Sequence, residues 1–247
     1  MRRAAAFFDV DGTVTNVTCM FRFLEYRLAA EGHPASVYRH ERRRLKAMTA
    51  AGVPRAETNR ASFASYAGAD VRAIARLAED WFRAELRSGP FFNEHVVDAL
   101  RRHQREGDLV VLVSGSFRAC LAPVARHLGA DVVVCSEPET ADGRYTGRVA
   151  VPMIGAAKAE AVRALAARGG LDLAASTAYG DHVSDLPLLR LTGRAVVVGD
   201  DPVMRELARL NGWPRWPRTP AADPGVLTAV PPPGSGVSRR SPGGPRR

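Results

Sequence analysis

Four short stretches of the chain carry residue types that do chemistry. Near the start, "AFFDVDGTVT" places Asp9 and Asp11 one residue apart where an apolar run stops. "SGS" at 114–116 follows the apolar "LVVLV", Lys158 stands near the start of a helical stretch, and "GDHVSD" at 180–185 supplies Asp181 and Asp185. Clustered carboxylates repel one another unless a cation sits among them. With hard oxygen ligands and no His or Cys cluster, Mg²⁺ is the natural candidate. Mg²⁺ beside a hydroxyl, backbone N–H groups and a lysine is an arrangement for holding and neutralising a phosphoryl group. Asp9, with one oxygen on the metal, could attack phosphorus with the other and form an aspartyl-phosphate. Asp11 could protonate the leaving oxygen and later activate water. One carboxylate attacks and its neighbour moves protons.

Lysine usage bears on Lys158. Of 35 basic residues only Lys46 and Lys158 are lysine; the others are all arginine. A compact ammonium suits a crowded phosphate site better than a broad guanidinium. Lys46, within the basic run "RHERRRLK" at 39–46, shows that lysine also occurs here without that reason.

These residues need elements to bring them together. Residues 4–10 read as a strand covered on both faces. Residues 17–88 read as helical: Val17, Met20, Phe21, Leu24 and Leu28 form one stripe, and Ile74, Leu77, Ala78, Trp81 and Phe82 another, begun by Asp70 as N-cap. Beyond "SGP" at 88–90 the pattern alternates. Helices are expected at 93–106, 117–128, 156–168, 185–191 and 202–211, with strands at 108–113, 131–135, 176–180 and 195–199. "ETADGRYTGRVAV" has the Asp-Gly signal of a hairpin. Alternation of this kind predicts an α/β fold, a Rossmann-like, mostly parallel sheet with helices on both faces and a helical insertion after the first strand. The expected organisation is a catalytic core of 1–16 and 89–218, a helical cap of 17–88, and a disordered Pro/Gly/Ser/Arg-rich tail of 219–247. Deleting 222–247 is expected to leave stability and turnover nearly unchanged.

Composition narrows the function classes. The 46% apolar fraction argues against wholesale disorder, and no apolar stretch approaches the roughly 20 residues that span a bilayer. The N-terminal run meets Asp9 too soon for a signal peptide, which favours the cytoplasm. Cys19, Cys120 and Cys135 lack metal-ligand spacing and read as buried reduced thiols. The net charge of +9 admits a nucleic-acid partner, but five arginines against one aspartate lie from Arg218 onward, and no nucleic-acid motif accompanies the run at 39–46. That run reads as a solvated helix face.

In order and spacing, "DVDGTVT", "SGS", Lys158 within "GAAK" and "GDHVSD" resemble the four motifs of the haloacid dehalogenase superfamily. An insertion directly after the first motif is similar to the cap of its phosphoserine-phosphatase-like branch. The resemblance covers about residues 4–212. It implies that Asp9 is the nucleophile and Asp11 the general acid/base, that Ser114 and the Gly115 N–H bind phosphate, and that Lys158 offsets charge. It further implies that Asp9, the Asp11 carbonyl and Asp181 bind Mg²⁺, with Asp185 in direct or supporting contact. The reaction expected is hydrolysis of a small phosphomonoester. A phosphotransferase or phosphomutase sharing the intermediate, and a non-catalytic basic binding protein, are the alternatives. Oligomeric state is not legible.

Other readings of single residues stand beside these. Asp185 could simply cap a helix beginning at Leu186 and Pro187. His182 could face substrate or solvent, and "GWPRWP" at 212–217 reads as a packing anchor. Phosphoserine phosphatases carry a glutamate in the first cap segment that binds the substrate ammonium; counting from the first motif, this chain has Thr18 there. Arg22 and Glu25 are the nearest charged residues, Arg22 being the pocket candidate beside Thr18 and His182.

Overall fold

Valine-, phenylalanine- and alanine-rich runs buried on both faces become parallel strands, because helical crossovers cover each side of such a sheet. A computed structural model describes residues 3–218; the tail expected at 219–247 lies outside the described residues. In chain order the elements are β1 (Ala5–Phe8), α1 (Cys19–Ala30), α2 (Ala35–Ala50), α3 (Arg55–Ser62), a 3₁₀ turn at Phe63–Tyr66, α4 (Val71–Ser88), α5 (Glu94–Glu106), β2 (Leu109–Phe117), α6 (Arg118–Leu128) and β3 (Val132–Ser136). There follow β4 (Pro138–Ala141), β5 (Arg144–Val149), α7 (Ala156–Gly169), β6 (Thr177–Gly180), a 3₁₀ turn at Val183–Asp185, α8 (Leu186–Leu189), β7 (Arg194–Val198), α9 (Pro202–Asn211) and β8 (Arg215–Trp216).

The main sheet runs β3-β2-β1-β6-β7-β8 with every pair parallel, and β4–β5 is the separate antiparallel hairpin. Phe8 lies opposite both Leu112 and Tyr179, so the carboxyl ends of β1, β2 and β6 are immediate neighbours. That is where ligands bind in open α/β sheets. Two-residue periodicity divides the core: Ala6 and Phe8 join the face packed by Phe23, Trp81 and Leu121, while Ala5 and Phe7 join Val162, Leu188 and Met204. The helical block shares the first of these clusters, with the Phe23 ring 5.6 Å from Trp81 and 6.1 Å from Phe117. Asp70 caps α4 as expected, accepting from Ala73 N at 2.8 Å.

Three details differ from the sequence expectation. β2 does not stop at 113 but continues through "SGSF", because Ser114 and Phe117 pair with Cys135 and Ser136 across a register shift. The stretch at 185–191 divides into a 3₁₀ turn and the short α8. "GWPRWP" adds an unforeseen edge strand, β8, whose Trp216 ring lies 5.5 Å from Tyr179. The three cysteines are buried and unpaired, and burial pushes each thiol above its ordinary range. Among the described residues no helix is long and apolar enough to cross a membrane.

Candidate active site

Asp9 continues the β1 ladder, its N–H donating to Tyr179 O at 3.0 Å, and is only 5% exposed. The chain then turns sharply: Gly12 N donates to Thr15 O and Thr15 N to Val10 O, each at 2.9 Å. Gly12 has φ +94°, and a Cβ there would lie 2.6 Å from the Asp181 carboxylate, so glycine lets the two loops meet. The turn carries Asp11 to the start of α1. Its carboxylate accepts from Cys19 N at 2.6 Å, Ser114 Oγ at 2.8 Å and Ser116 Oγ at 2.7 Å.

Lys158, in the first turn of α7, is 2% exposed and bridges two acids. Its Nζ lies 2.5 Å from Asp9 Oδ1 and 2.7 Å from Asp185 Oδ1. The other Asp185 oxygen accepts from His182 N at 3.1 Å and Asp181 N at 3.3 Å. Asp185 therefore makes no side-chain cap to α8; it closes the 181–185 loop and faces Lys158. Gly180 leaves room for it, since a Cβ there would lie 2.7 Å from Asp185 Cβ. Asp181 accepts from Thr13 Oγ1 at 3.1 Å and from the Arg218 guanidinium.

Ligand oxygens of Asp9, Asp181 and Asp185 all lie within 4.8 Å of one another. Burial pushes the Asp9 carboxyl well above the ordinary carboxylate range; Lys158 opposes the rise, and Asp185, Asp181 and Asp11 add to it. Burial raises Asp181 as well, with Asp185 adding and Arg218 opposing. Burial works against the Lys158 charge, yet Asp185 and Asp9 outweigh it and hold the ammonium above the usual lysine range. Two carboxylates that resist ionisation, Asp9 and Asp181, beside a third, Asp185, fit a hard divalent cation, whose charge would relieve their repulsion. The Asp11 carboxylate stands outside this triad.

A cavity of 360 Å³ opens above the triad, lined by Asp9, Asp11, Gly115, Lys158 and Asp185 from the sheet side. Thr18 and His182 line it too. His182 Nδ1 accepts from Ser184 N at 3.0 Å, and burial, with Arg55 adding, lowers the imidazole below its ordinary range. Ser114 is fully buried and does not reach the cavity wall; its hydroxyl is spent on Asp11. Arg22 is a correction. It packs against buried Glu85 at 2.9 Å, with Glu25 at 3.3 Å, and is absent from the wall. The reason is the α1 stripe: Met20 and Leu24 are buried, which turns Arg22 towards α4.

The basic run at 39–46 is a second correction. It is not wholly a solvated face, for Arg42 and Lys46 line the cavity with Arg55. Three polar residues of the site were not anticipated. Ser116 shares Asp11 with Ser114, and Asn59 donates to Gly115 O at 3.0 Å. Thr13 binds Asp181. Repetition of serine in "SGS" and of threonine in "DGTVT" were the available signals; Asn59 had none.

Comparison with known proteins agrees with this geometry. A family model described as haloacid dehalogenase-like hydrolase matches residues 6–190. A Mycobacterium tuberculosis protein named "Probable phosphatase" is 35% identical over 57% of this chain and 53% of its own length. A phosphoserine phosphatase of the same organism is 30% identical over 81% of this chain and 45% of its own. The chain thus spans about half the length of these curated relatives. Among solved structures, a Bordetella pertussis Tohama I protein with unknown function superposes with TM-score 0.78 at 28% identity, covering 87% of this chain and 98% of that one. The matched span holds the three strand-end motifs and the helix-borne Lys158 that together form the site, and the chain belongs to the haloacid dehalogenase-like hydrolase family.

Proposed function

We propose that the protein hydrolyses a small phosphomonoester with Mg²⁺ through an aspartyl-phosphate on Asp9. The observation that carries this is Lys158 Nζ seated between the buried Asp9 and Asp185 at the floor of a cavity, with the half-buried Asp181 carboxylate beside them. Asp9 attacks phosphorus. Asp11 gives a proton to the leaving oxygen and then takes one from the attacking water. Its three donors keep it ordered beside the nucleophile. The Gly115 N–H binds a phosphate oxygen, the Ser114 hydroxyl holds Asp11 in place of the expected phosphate contact, and Lys158 offsets charge. Asp9, the Asp11 carbonyl and Asp181 hold Mg²⁺, with Asp185 in support. When bound, the metal neutralises the phosphoryl oxygens. Residues 17–88 act as the cap over a core of 1–16 and 89–218. Three free, buried thiols support a cytoplasmic location. The direct test is phosphate release from a panel of phosphorylated metabolites with and without Mg²⁺; silence across the panel at saturating Mg²⁺ removes the reading.

L-phosphoserine is expected to be a poor substrate, although a relative bears the name phosphoserine phosphatase. The wall contributed by residues 17–88 has Thr18 and no acidic side chain, while Glu25 is drawn to Arg22. A missing charged contact to the ammonium costs about 2 kcal/mol, roughly thirtyfold in kcat/KM. Sugar, alcohol or aromatic-ring phosphates should exceed it by that order. Phosphoserine heading such a panel would refute this account of the wall and leave the catalytic roles intact.

Mg²⁺ binding is expected to release protons and to weaken as pH falls. The metal-free folded state holds protons on Asp9 and Asp181 above the ordinary carboxylate range, and the metal needs both ionised. Apparent affinity should therefore rise with pH, by up to about tenfold per unit for each proton displaced. Calorimetry in two buffers of different ionisation heat reads the proton directly; identical heats and a flat pH profile would contradict it.

A further inference from the structure

The half of the cavity wall furthest from the sheet is cationic. Arg42 and Lys46 stand one turn apart on α2, and Arg55 begins α3. The acids that line the cavity, Asp9, Asp11 and Asp185, all come from the strand ends and already have partners. Among the described residues none of the three cations has a carboxylate ion-pair partner, whereas the adjacent Arg44 and Arg60 are paired with Glu41 and Glu57. Arg42 is held in place, its guanidinium 3.6 Å above the centre of the Phe21 ring. The Thr58 hydroxyl on the same wall has no hydrogen-bond partner among the described residues.

Three like charges gathered without counter-ions repel one another until an anion joins them. The scissile phosphate is already served by Lys158 and the strand-end donors, so these cations have no role in its charge balance. Guanidinium forks donate to carboxylate or phosphate oxygens equally well in shape. Charge separates the two, because three cations leave about two charges uncompensated beside a carboxylate but only about one beside a phosphate, which carries about −1.5 to −2. We infer that Arg42, Lys46 and Arg55 bind a second phosphate-type group of the substrate, and that the preferred substrates are small molecules carrying a phosphomonoester at one end and another phosphoryl group at the other. A 360 Å³ cavity is at the lower end of the range for small-molecule sites, which suits so compact a ligand. Which of the two groups is cleaved rests on the proposed hydrolase activity; the charge preference does not.

The test uses the full chain with Mg²⁺ and ligands that cannot turn over. Propane-1,3-bisphosphonate should bind at least about tenfold tighter than propylphosphonate by calorimetry, and tighter than 3-phosphonopropanoate. In the double variant R42Q/K46Q the ratio between bisphosphonate and propylphosphonate should fall to within about twofold. Lys46→Gln alone, at an exposed helical position, should narrow the ratio in the same direction if the double variant melts early. Equal binding of the two phosphonates, or a ratio that survives both variants, overturns the inference. Carboxylate binding as tight as bisphosphonate overturns its phosphate assignment. Turnover of propyl, 3-aminopropyl and 3-phosphonopropyl phosphate separates this inference from the activity it accompanies. Phosphate release without preference for the phosphono ester sinks the inference and keeps the hydrolase. Bisphosphonate preference with no release from any ester does the reverse.

Discussion

Asp9→Asn is expected to lower turnover at least about 10⁴-fold and to leave no trapped acyl-phosphate, because an amide cannot act as the attacking oxygen. The fold should survive. Lys158 keeps Asp185 at 2.7 Å, and the backbone N–H of residue 9 keeps its bond to Tyr179 O. Asp11→Asn should cost less, about 10²–10⁴-fold, since it removes proton transfer and leaves the nucleophile. Its amide nitrogen cannot accept, so the three donors now shared between two oxygens would be left with one. Single-turnover kinetics with acid quench would distinguish the two. Near-normal turnover in Asp9→Asn would end the covalent mechanism.

Lys158→Met is expected to destabilise the metal-free protein by about 3–5 kcal/mol and to abolish activity. Removing one partner of a buried ion pair leaves the other charge uncompensated. Here it leaves Asp9 and Asp185 facing each other across a site in which both are buried. The loss should depend on pH with a definite sign. Asp9 titrates above its unfolded value, and losing Lys158 removes the main influence that opposes the rise. The folded state then binds more protons than the unfolded one, so stability falls as pH rises and recovers as pH drops towards the ordinary carboxylate range. Urea titrations of both proteins in EDTA at pH 5 and pH 8 measure this. The gap should be smaller at pH 5. A gap under about 1 kcal/mol, or one indifferent to pH, would show that the triad does not depend on Lys158.

Much of the site was legible because its parts are local. Asp9 and Asp11 follow an apolar run, the carboxylates of "GDHVSD" follow another, and parallel sheets place such strand ends together whatever the intervening sequence. Glycine at position 12 is also readable, as the residue a turn with positive φ requires. Lys158 was legible by its chemistry in an arginine-rich chain, and the structure seats it between two acids. The same chemistry does not single out Lys46 in the sequence, where it sits in a basic run; yet both lysines of the chain line one cavity.

What the tertiary structure alone decided is which face each helix of the 17–88 block turns to the site. α2 buries only Leu45, so its apolar pattern is too weak to orient it, and nothing local distinguishes Arg42 and Lys46 from the exposed Arg39 and Arg43. Their direction is set by contacts distant in sequence: α2 lies against α1, where Phe21 receives the Arg42 guanidinium. Arg22 is taken from the pocket by the same kind of long-range contact, Glu85 lying 63 residues away on α4. Strand ends inherit their position from the backbone ladder, which a sequence encodes in short runs. A side chain on a weakly amphipathic helix inherits its surroundings from whichever elements pack beside it, and only the folded chain assembles those.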